Sequence, residues 1–448
     1  MHALVLALLA LQAPAPEPAP PNVVFILADD LGYGDLGCYG QERIQTPHLD
    51  RLATEGLRFT DFYAGSTVCA PSRCSLMTGL HTGHARVRGN ARVPLEPGDV
   101  TVAEVFKGAG YRTGLVGKWG LGEAGSTGVP NRQGFDFFYG YLNQRVAHNY
   151  YPEHLWRNGE RERLEGNVAE GGVASERAHY SHDLLTAEAL AFIRRSHESP
   201  FFLYLAYTIP HANNERGARE GDGMEVPDYG PYADREWPNS QKGHAAMITR
   251  LDADVGRLLA LLQELAIDER TLVIFTSDNG PHREGGARPA FFQSSGPLRG
   301  IKRDLYEGGI RVPALARWPG VVPAGATCSA PLAFWDFLPT AAELVDAEAP
   351  PGLDGVSMVP ALRGEPQPAR ELLYWEFHER GFSQAVRSGR WKAVRPRSAD
   401  APLELYDLDA DPAESRDLAA DEPEVAQRLA ALMAGARTRS EHWPGPGR

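Results

Sequence analysis

The stretch NVVFILADD, residues 22–30, runs from an asparagine through six apolar residues to a pair of aspartates. A short, unbroken apolar run of this kind is typical of a strand that is buried on both faces of a sheet. Three later stretches repeat the pattern and also end in polar residues: RTGLVGKWG (112–120), FFLYLAYTIPH (201–211) and TLVIFTSDNG (271–280). The sequence therefore predicts at least four buried strands.

Amphipathic patterns of helical period separate these runs, and the clearest are 46–57, 181–195 and 244–265. Alternating strands and helices predict an α/β fold with a mixed, mostly parallel central sheet flanked by helices. In such sheets ligands bind beyond the carboxyl ends of the strands, where all four runs place their polar residues. We expect the functional site at that edge.

The chain changes character near residue 365. Before it, the Gly- and Pro-rich segment 212–242 predicts a long functional loop. After it, residues 372–381, 382–396 and 403–419 have hairpin-like patterns, and 423–435 is an amphipathic helix. We predict a catalytic α/β domain at 22–365 and a smaller C-terminal domain at 366–448, formed by an antiparallel sheet and a helix.

Composition excludes some functions and favours export. The chain has 448 residues and a formal net charge of −13, so no broad basic face is available to hold nucleic acid. Residues 1–21 combine an apolar run with a Pro/Ala stretch, which predicts a secretory signal peptide and linker. No later segment has the roughly 20 apolar residues of a membrane span. We expect an exported protein, periplasmic or secreted.

Four oxygen-bearing side chains end the first and last of these strands: Asp29, Asp30, Asp278 and Asn279. Each pair alone is explained by turn chemistry, because Asp and Asn favour strand ends. Together at one sheet edge they form a set of hard oxygen donors that suits Ca²⁺ or Mg²⁺.

Three cations lie beside short motifs: Arg73 in CAPSR, Lys118 in GKWG and Lys302 in GIK. Any one alone is read as a solvated surface charge, whereas three converging on one pocket would clamp a tetrahedral oxyanion. His211, at the end of its strand, is placed to protonate a leaving group, although a lone histidine there is often structural.

Cys69 precedes a predicted helix, where amide N–H groups and the helix dipole favour negative charge. Three interpretations stay open from the spacing: a small buried side chain, half of a disulfide, or a thiolate nucleophile. The chain has only four cysteines, at 38, 69, 74 and 328, without a CxxC pair that would suggest zinc.

The motif CAPSR (69–73) resembles the C-x-P-S-R sequence of type I sulfatases, the formylglycine-dependent, arylsulfatase-like enzymes of the alkaline phosphatase superfamily. The family's other motifs occur in the same order along nearly the whole chain. They are NVVFILADDLGYGDLGCYG (22–40), TGLHTGH (78–84), GYRTGLVGKWG (110–120), TSDNG (276–280), GIKRDLYEGGIRVP (300–313) and LYDLDADPAESRDLA (405–419).

This resemblance implies an alkaline-phosphatase-like fold and a sulfuric ester hydrolase. Cys69 would be oxidised to Cα-formylglycine by a formylglycine-generating or anaerobic sulfatase-maturing enzyme. Ca²⁺, with Mg²⁺ as the second choice, would be held by the modified Cys69 and the four strand-end residues Asp29, Asp30, Asp278 and Asn279. Arg73 would stabilise the formylglycine hydrate, and Lys118, Lys302 and His211 would bind sulfate and assist the leaving oxygen.

The resemblance also explains why a thiol alone would not suffice. A thiolate that attacked sulfate would form a thiosulfate ester with no easy internal release. An aldehyde hydrate has two hydroxyls on one carbon, so one can attack and the other can expel sulfate.

One motif departs from the family. The family commonly reads GKWHLG, and this chain reads GKWGLG, so Gly120 replaces a histidine linked to the elimination step. We hypothesise that His148 enters the vacated volume; the alternative is an unrelated loop residue or a substrate contact.

The expected substrate is a sulfated carbohydrate, with an aryl sulfate second, because polar and aromatic loop residues suit a sugar ring. The predicted rim consists of His148, Tyr150, Tyr151, Asn213, Asn214, His282, Arg283 and Arg288. Rival functions are a phosphatase, phosphodiesterase or phosphonate hydrolase on the same scaffold, and a catalytically silent sulfoglycan-binding protein.

Overall fold

The computed structural model describes residues 20–445, so the predicted signal peptide, except for its last two residues, lies outside the described part. The strands are β1 (Asn22–Ala28), β2 (Leu57–Phe59), β3 (Phe62–Tyr63), β4 (Arg112–Lys118), β5 (Phe137–Tyr141), β6 (His154–Arg157), β7 (Glu160–Arg163), β8 (Val168–Glu170), β9 (Val173–Glu176), β10 (Phe201–Ala206), β11 (Thr271–Ser277), β12 (Ala314–Arg317), β13 (Ala326–Cys328), β14 (Leu332–Ala333), β15 (Leu373–Phe377), β16 (Ser383–Ser388), β17 (Trp391–Arg395) and β18 (Glu404–Asp407).

The α-helices are α1 (Pro47–Glu55), α2 (Cys69–Thr78), α3 (Val102–Gly108), α4 (Ser181–Ser196), α5 (Asn214–Glu220), α6 (Asn239–Glu264), α7 (Pro289–Phe292), α8 (Glu307–Ile310), α9 (Phe337–Leu344), α10 (Val359–Leu362) and α11 (Pro423–Gly435). Within residues 20–445, no helix is both long and apolar enough to cross a membrane.

A ten-stranded sheet forms the centre of the molecule, in the order β13-β2-β12-β11-β1-β10-β4-β5-β6-β7. The four strands predicted from the apolar runs are its consecutive middle members, β11, β1, β10 and β4, and they pair in parallel. The outer pairs β11–β12, β12–β2, β5–β6 and β6–β7 are antiparallel. The predicted mixed, mostly parallel sheet is confirmed.

Strand β1 is buried on both faces, which explains its unbroken apolar sequence. Val24, Ile26 and Ala28 point into the hydrophobic cluster that contains α4 and α6. Val23, Phe25 and Leu27 alternate with them and pack into the cluster that contains α3 and α9. Two helical layers therefore cover the sheet.

The C-terminal segment forms a four-stranded antiparallel sheet in the order β15-β16-β17-β18, with α11 packed against it. This confirms the predicted small sheet and helix. The first strand of this sheet begins at Leu373, and the boundary at 365/366 stays a prediction.

The segment 212–242 is less irregular than we expected. The Asn213 side chain accepts a hydrogen bond from the Arg216 amide at 3.0 Å and so caps the start of α5. Gly221, with φ of 80°, follows the helix and caps its end. Helix α6 begins at Asn239, directly after Pro238. Local capping therefore builds a helical turn in a stretch whose composition suggested only loop.

Candidate active site

The strand ends meet as predicted, at the carboxyl edge of the central sheet. Asp29 and Asp30 follow β1, Asp278 and Asn279 follow the neighbouring β11, and all four side chains are fully buried. The Asp30 amide donates to Asp278 Oδ1 at 3.1 Å, and Asn279 Nδ2 donates to Asp30 Oδ1 at 2.7 Å. Parallel pairing of β1 with β11 is what brings residues about 250 positions apart into contact.

Arg73 links the two acidic strand ends. It lies one turn beyond Cys69 in α2, and its guanidinium group is buried. It donates to Asp278 Oδ2 at 2.8 Å and to Asp29 Oδ2 at 3.2 Å, and a further nitrogen donates to the Lys118 carbonyl at 2.7 Å. Such a buried cation is held in one position by its partners on every side.

Two lysines complete the charge arrangement. Lys118 Nζ lies 2.6 Å from Asp29 Oδ2, and Lys302 Nζ lies 2.8 Å from Asp30 Oδ2. Burial opposes ionisation of Asp29, but the cations of Lys118 and Arg73 prevail and lower its pKa to about 2. Burial, with the neighbouring Asp29 carboxylate, raises the pKa of Asp278 to about 7. Three acidic side chains therefore face three cations, and an added divalent ion would leave the site positive and ready for an anion.

Cys69 is the first residue of α2 and is only 3% exposed. Its Sγ lies 3.6 Å from Asp29 Oδ1. Burial, together with the Asp29 carboxylate, raises the pKa of this thiol far above its usual value. An unmodified Cys69 is thus a neutral thiol, which speaks against the thiolate interpretation. All four cysteines are free, so the disulfide interpretation is wrong for this structure.

His211 approaches the cluster with one ring nitrogen. Its Nδ1 lies 2.7 Å from the Ala212 carbonyl oxygen, which only accepts, so Nδ1 carries the proton and donates. Its Nε2 lies 3.5 Å from Asp30 Oδ2. Burial, with the nearby Lys302 cation, lowers the pKa of His211 well below the ordinary value, so the ring is neutral in this arrangement.

His148 does not occupy the space beside Gly120. The atoms nearest a Cβ built at Gly120 belong to Gln144, at 2.9–3.0 Å. His148 instead stacks on His211, with ring centroids 4.6 Å apart, and its Nδ1 lies 3.1 Å from Glu215 Oε2. It therefore supports the His211 ring and does not fill the vacated volume, which Gln144 takes instead.

Several predicted rim residues are buried and fasten the loops. Tyr150, Tyr151, Asn213 and His282 are at most 7% exposed, so the expectation that they form the rim is wrong. The Tyr150 hydroxyl contacts the carbonyl oxygens of Thr208 at 2.8 Å and of His211. His282 Nε2 donates to the Pro210 carbonyl at 3.1 Å. Of the predicted rim, Arg283 and Arg288 are exposed and Asn214 is partly exposed.

Two carboxylates that the sequence did not single out belong to the site's surroundings. Glu215 bonds to His148 and, at 2.8 Å, to Arg145. Glu284 Oε2 lies 3.6 Å from Lys302 Nζ. Both lie in polar, Gly-rich stretches with other charged residues, Glu215 in the short helix α5, so no local pattern distinguishes them.

The donor set fits a hard divalent cation. Atoms of Asp29, Asp30, Cys69 and His211 lie within 4.8 Å of one another. Asn279 Oδ1 is buried and has no hydrogen-bond partner among the described residues, which is costly for a polar atom unless it meets a ligand. Carboxylate and amide oxygens are the ligands that Ca²⁺ and Mg²⁺ prefer.

Comparison with known proteins agrees with this geometry. A family model described as Sulfatase matches residues 21–347, which is most of the chain. The chain belongs to the sulfatase family. A second model, described as N-sulphoglucosamine sulphohydrolase, C-terminal, matches residues 301–438 of this sulfatase. The chain is therefore an enzyme of sulfate-ester hydrolysis, as the CAPSR motif implied.

Individual relatives support the same assignment. Arylsulfatase A of Homo sapiens is 36% identical, covering 95% of this chain and 89% of its own length. An N-acetylgalactosamine-6-O-sulfatase of Bacteroides thetaiotaomicron is 30% identical, and the match covers 94% of this chain and 93% of that protein. The crystal structure of Ps i-CgsB in complex with k-i-k-neocarrahexaose superposes with a TM-score of 0.80 at 29% identity, covering 93% of this chain and 92% of that chain. The expected alkaline-phosphatase-like α/β fold is confirmed.

Proposed function

We propose that this sulfatase removes sulfate from a sulfated carbohydrate, using Cys69 after its oxidation to Cα-formylglycine. The observation that carries the proposal is the position of Cys69. It stands at the start of α2, 3.6 Å from Asp29, inside a buried set of three acids and three cations. A maturing enzyme, formylglycine-generating or of the anaerobic type, would act before or during export to the periplasm or medium.

The chemistry requires position 69 to be modified. Oxidised and hydrated, it would have two hydroxyls on one carbon, one to attack sulfur and expel the alcohol and the other to release sulfate as the aldehyde re-forms. Arg73, one turn further along the same helix, is fixed by Asp278 and by Asp29, which also contacts Cys69 Sγ. Its fixed guanidinium group would hold the hydrate oriented and stabilise negative charge on it.

The metal would be Ca²⁺, with Mg²⁺ as the second choice. Asp29, Asp30, Asp278, Asn279 and the modified position 69 would hold it. The ion would supply positive charge to polarise the sulfate oxygens. The buried Asn279 Oδ1, which lacks a partner among the described residues, supports this assignment.

Lys118, Lys302 and His211 would act on the substrate. Both ammonium groups lie at the cluster and can turn from their carboxylates toward sulfate oxygens. His211 is fixed through Nδ1 by the Ala212 carbonyl, so only Nε2 is available to the leaving oxygen. The charge of a bound sulfate ester would offset the effect of Lys302 and favour a proton there.

A carbohydrate substrate is supported by the relatives. The related proteins include an N-acetylgalactosamine-6-O-sulfatase and Ps i-CgsB, which was solved in complex with k-i-k-neocarrahexaose. An aryl sulfate is the second choice, motivated by the similarity to arylsulfatase A.

Two measurements test the proposal. The tryptic peptide FTDFYAGSTVCAPSR (59–73) from matured protein should contain an aldehyde in place of the thiol of Cys69, as read by mass spectrometry. The same sample should release sulfate from p-nitrophenyl sulfate faster than phosphate from p-nitrophenyl phosphate, and Cys69→Ala should abolish both. Full desulfation by a sample with an unaltered thiol would overturn the mechanism. Faster phosphate release would favour a phosphatase, and binding without turnover would favour a silent sulfoglycan-binding protein.

A further inference from the structure

A concave surface lies on the far side of Lys302 from the acidic cluster. It is a cleft of about 470 Å³ between the segment 283–306 of the α/β part and the turns of the small C-terminal sheet. A volume of this size lies within the range of small-ligand sites, about 300–1,000 Å³. Cations predominate in its lining: Arg283, Arg299, Lys302, Arg303, Arg380 and Arg397.

Three of these arginines are free to meet a ligand. Arg283, Arg380 and Arg397 are exposed, and within residues 20–445 their side chains have neither an ion pair nor a hydrogen bond. Arg303, in contrast, bonds to Glu284 and, at 3.1 Å, to Glu379. The cleft therefore has a local excess of unpaired positive charge, although the net charge of the whole protein is −13. Unpaired cations gathered in one cleft attract anions from solution.

The backbone of the cleft is strained at its arginines. Arg303, Arg380 and Arg397 have φ angles of 77°, 61° and 61°, in the left-handed region that side chains with a Cβ rarely adopt. Strain of this kind persists where the surroundings impose it, and it concentrates at functional sites.

Two turns of the C-terminal sheet impose this conformation on each other. The Phe382 amide donates to the Arg397 carbonyl at 3.0 Å. A Cβ at Gly381 would lie 2.1 Å from that same carbonyl oxygen, so the two backbones touch and only glycine fits. Arg380 and Arg397 are thus held side by side at one wall of the cleft.

The buried side chain of Lys302 lies between the cleft and the catalytic cluster. Its Nζ lies 2.8 Å from Asp30 Oδ2 on one side and 3.6 Å from Glu284 Oε2 on the other, and both Lys302 and Glu284 line the cleft. The cleft and the acidic cluster are therefore neighbours that share one side chain, Lys302.

We propose that this cleft binds a second anionic group, a sulfate or carboxylate, on the sugar next to the one whose sulfate is removed. The inference rests on the proposed function and narrows its substrate class to polyanionic saccharides. Guanidinium groups suit either anion because their paired N–H donors match two oxygens at once.

The test replaces Arg380 and Arg397 by asparagine, which removes the charge and tolerates a positive φ. Arg363→Asn with Arg439→Asn is the matched control, since both are exposed arginines that line none of the described cavities. Substrates are p-nitrophenyl sulfate, a monosulfated neutral disaccharide, its disulfated form and a monosulfated disaccharide with a uronate. The last two distinguish a second sulfate from a carboxylate.

The double variant should raise KM for an anionic disaccharide about tenfold per lost arginine, with p-nitrophenyl sulfate and the neutral disaccharide unchanged. For the anionic disaccharide, the KM of the wild type should also rise with salt concentration, and the KM of the double variant should rise less. Melting temperature should stay equal or increase, because asparagine relieves the strain. If the double variant had the same KM as the wild type for every one of these substrates, the proposal would be overturned.

Binding separates this proposal from the proposed function. In a Cys69→Ala background, calorimetry with the disulfated and the uronate disaccharide should detect affinity that depends on Arg380 and Arg397. If wild type released no sulfate from any substrate but this dependence persisted, the proposed function would fail and the anion cleft would stand.

Discussion

At the scale of single residues, His148 stacks on His211 and contacts Glu215, so we predict that it acts as a positioning residue. His148→Ala removes the ring that stacks on His211 and helps to hold its Nε2 at the cluster. We expect kcat to fall about tenfold or more, with KM for p-nitrophenyl sulfate nearly unchanged, because orientation and not binding is lost.

The exposed His179 offers the matched control, as His179→Ala should keep full turnover. Glu215→Gln should lower kcat in the same direction by a smaller factor, since it weakens one bond of the same support. A His148→Ala enzyme that turned over at the wild-type rate would show that the stacking has no catalytic role.

The acidic residues of the site could be predicted from the sequence because they stand at the ends of strands. Asp29, Asp30, Asp278 and Asn279 follow apolar runs, and parallel strands must place such residues at one edge. The supports of His211 were not predictable in this way. Tyr150 comes from a loop and Glu215 from the short helix α5, and only the folded chain decides which of these side chains meet.

At the scale of elements, periodicity predicted the buried strands and the long helices, whose patterns are regular over many residues. It missed α5, because that helix has only seven residues and depends on one capping side chain, Asn213. It also missed the strained turns of the small sheet, since Arg380 and Arg397 are residues that local preference would not place there.

Strand β15 contains a buried carboxylate that ties the small sheet to the rest of the chain. Glu376 is fully buried and lies 3.1 Å from Arg88 and 2.8 Å from Arg437. Burial opposes its ionisation, but the bonds from His378 and Arg437 prevail and lower its pKa to about 2. Because folding favours the ionised form, the stabilisation is complete above pH 4.5 and is lost as pH falls from 4.5 toward 2.

Glu376→Gln should therefore lower the free energy of unfolding at pH 7 by about 3 kcal/mol. The difference from wild type should shrink as pH falls through that window. Denaturant unfolding between pH 7 and pH 3 measures it, with the exposed Glu371→Gln as the control. If the unfolding free energies of Glu376→Gln and wild type differed by the same amount at every pH, the ionised Glu376 carboxylate would not be the source of the stabilisation.

At the scale of the whole molecule, the two predicted domains share a core. The Trp375 ring of β15 lies 5.2 Å from the Tyr63 ring and 5.5 Å from the Trp335 ring, and its Nε1 donates to the Ala64 carbonyl at 2.9 Å. Tyr63, Ala64 and Trp335 belong to the α/β part. Because the two segments bury each other's aromatic rings, we expect them to unfold together.

This cooperativity lets unfolding of the whole chain report on the metal site. An ion that binds only the folded site stabilises the protein by about 2.7 kcal/mol at a concentration 100 times its Kd. For a chain of this size that is a rise in Tm of about 3 °C.

The Tm of chelator-treated protein should therefore rise when Ca²⁺ is restored. Mg²⁺ should raise the Tm less, because it requires stricter octahedral geometry. Asn279→Ala should lose most of the shift, because it removes the buried Oδ1 that lacks a protein partner. If Ca²⁺ raised the Tm of this variant and of wild type equally, the ion would bind elsewhere. The Tm measurement does not require catalytic turnover.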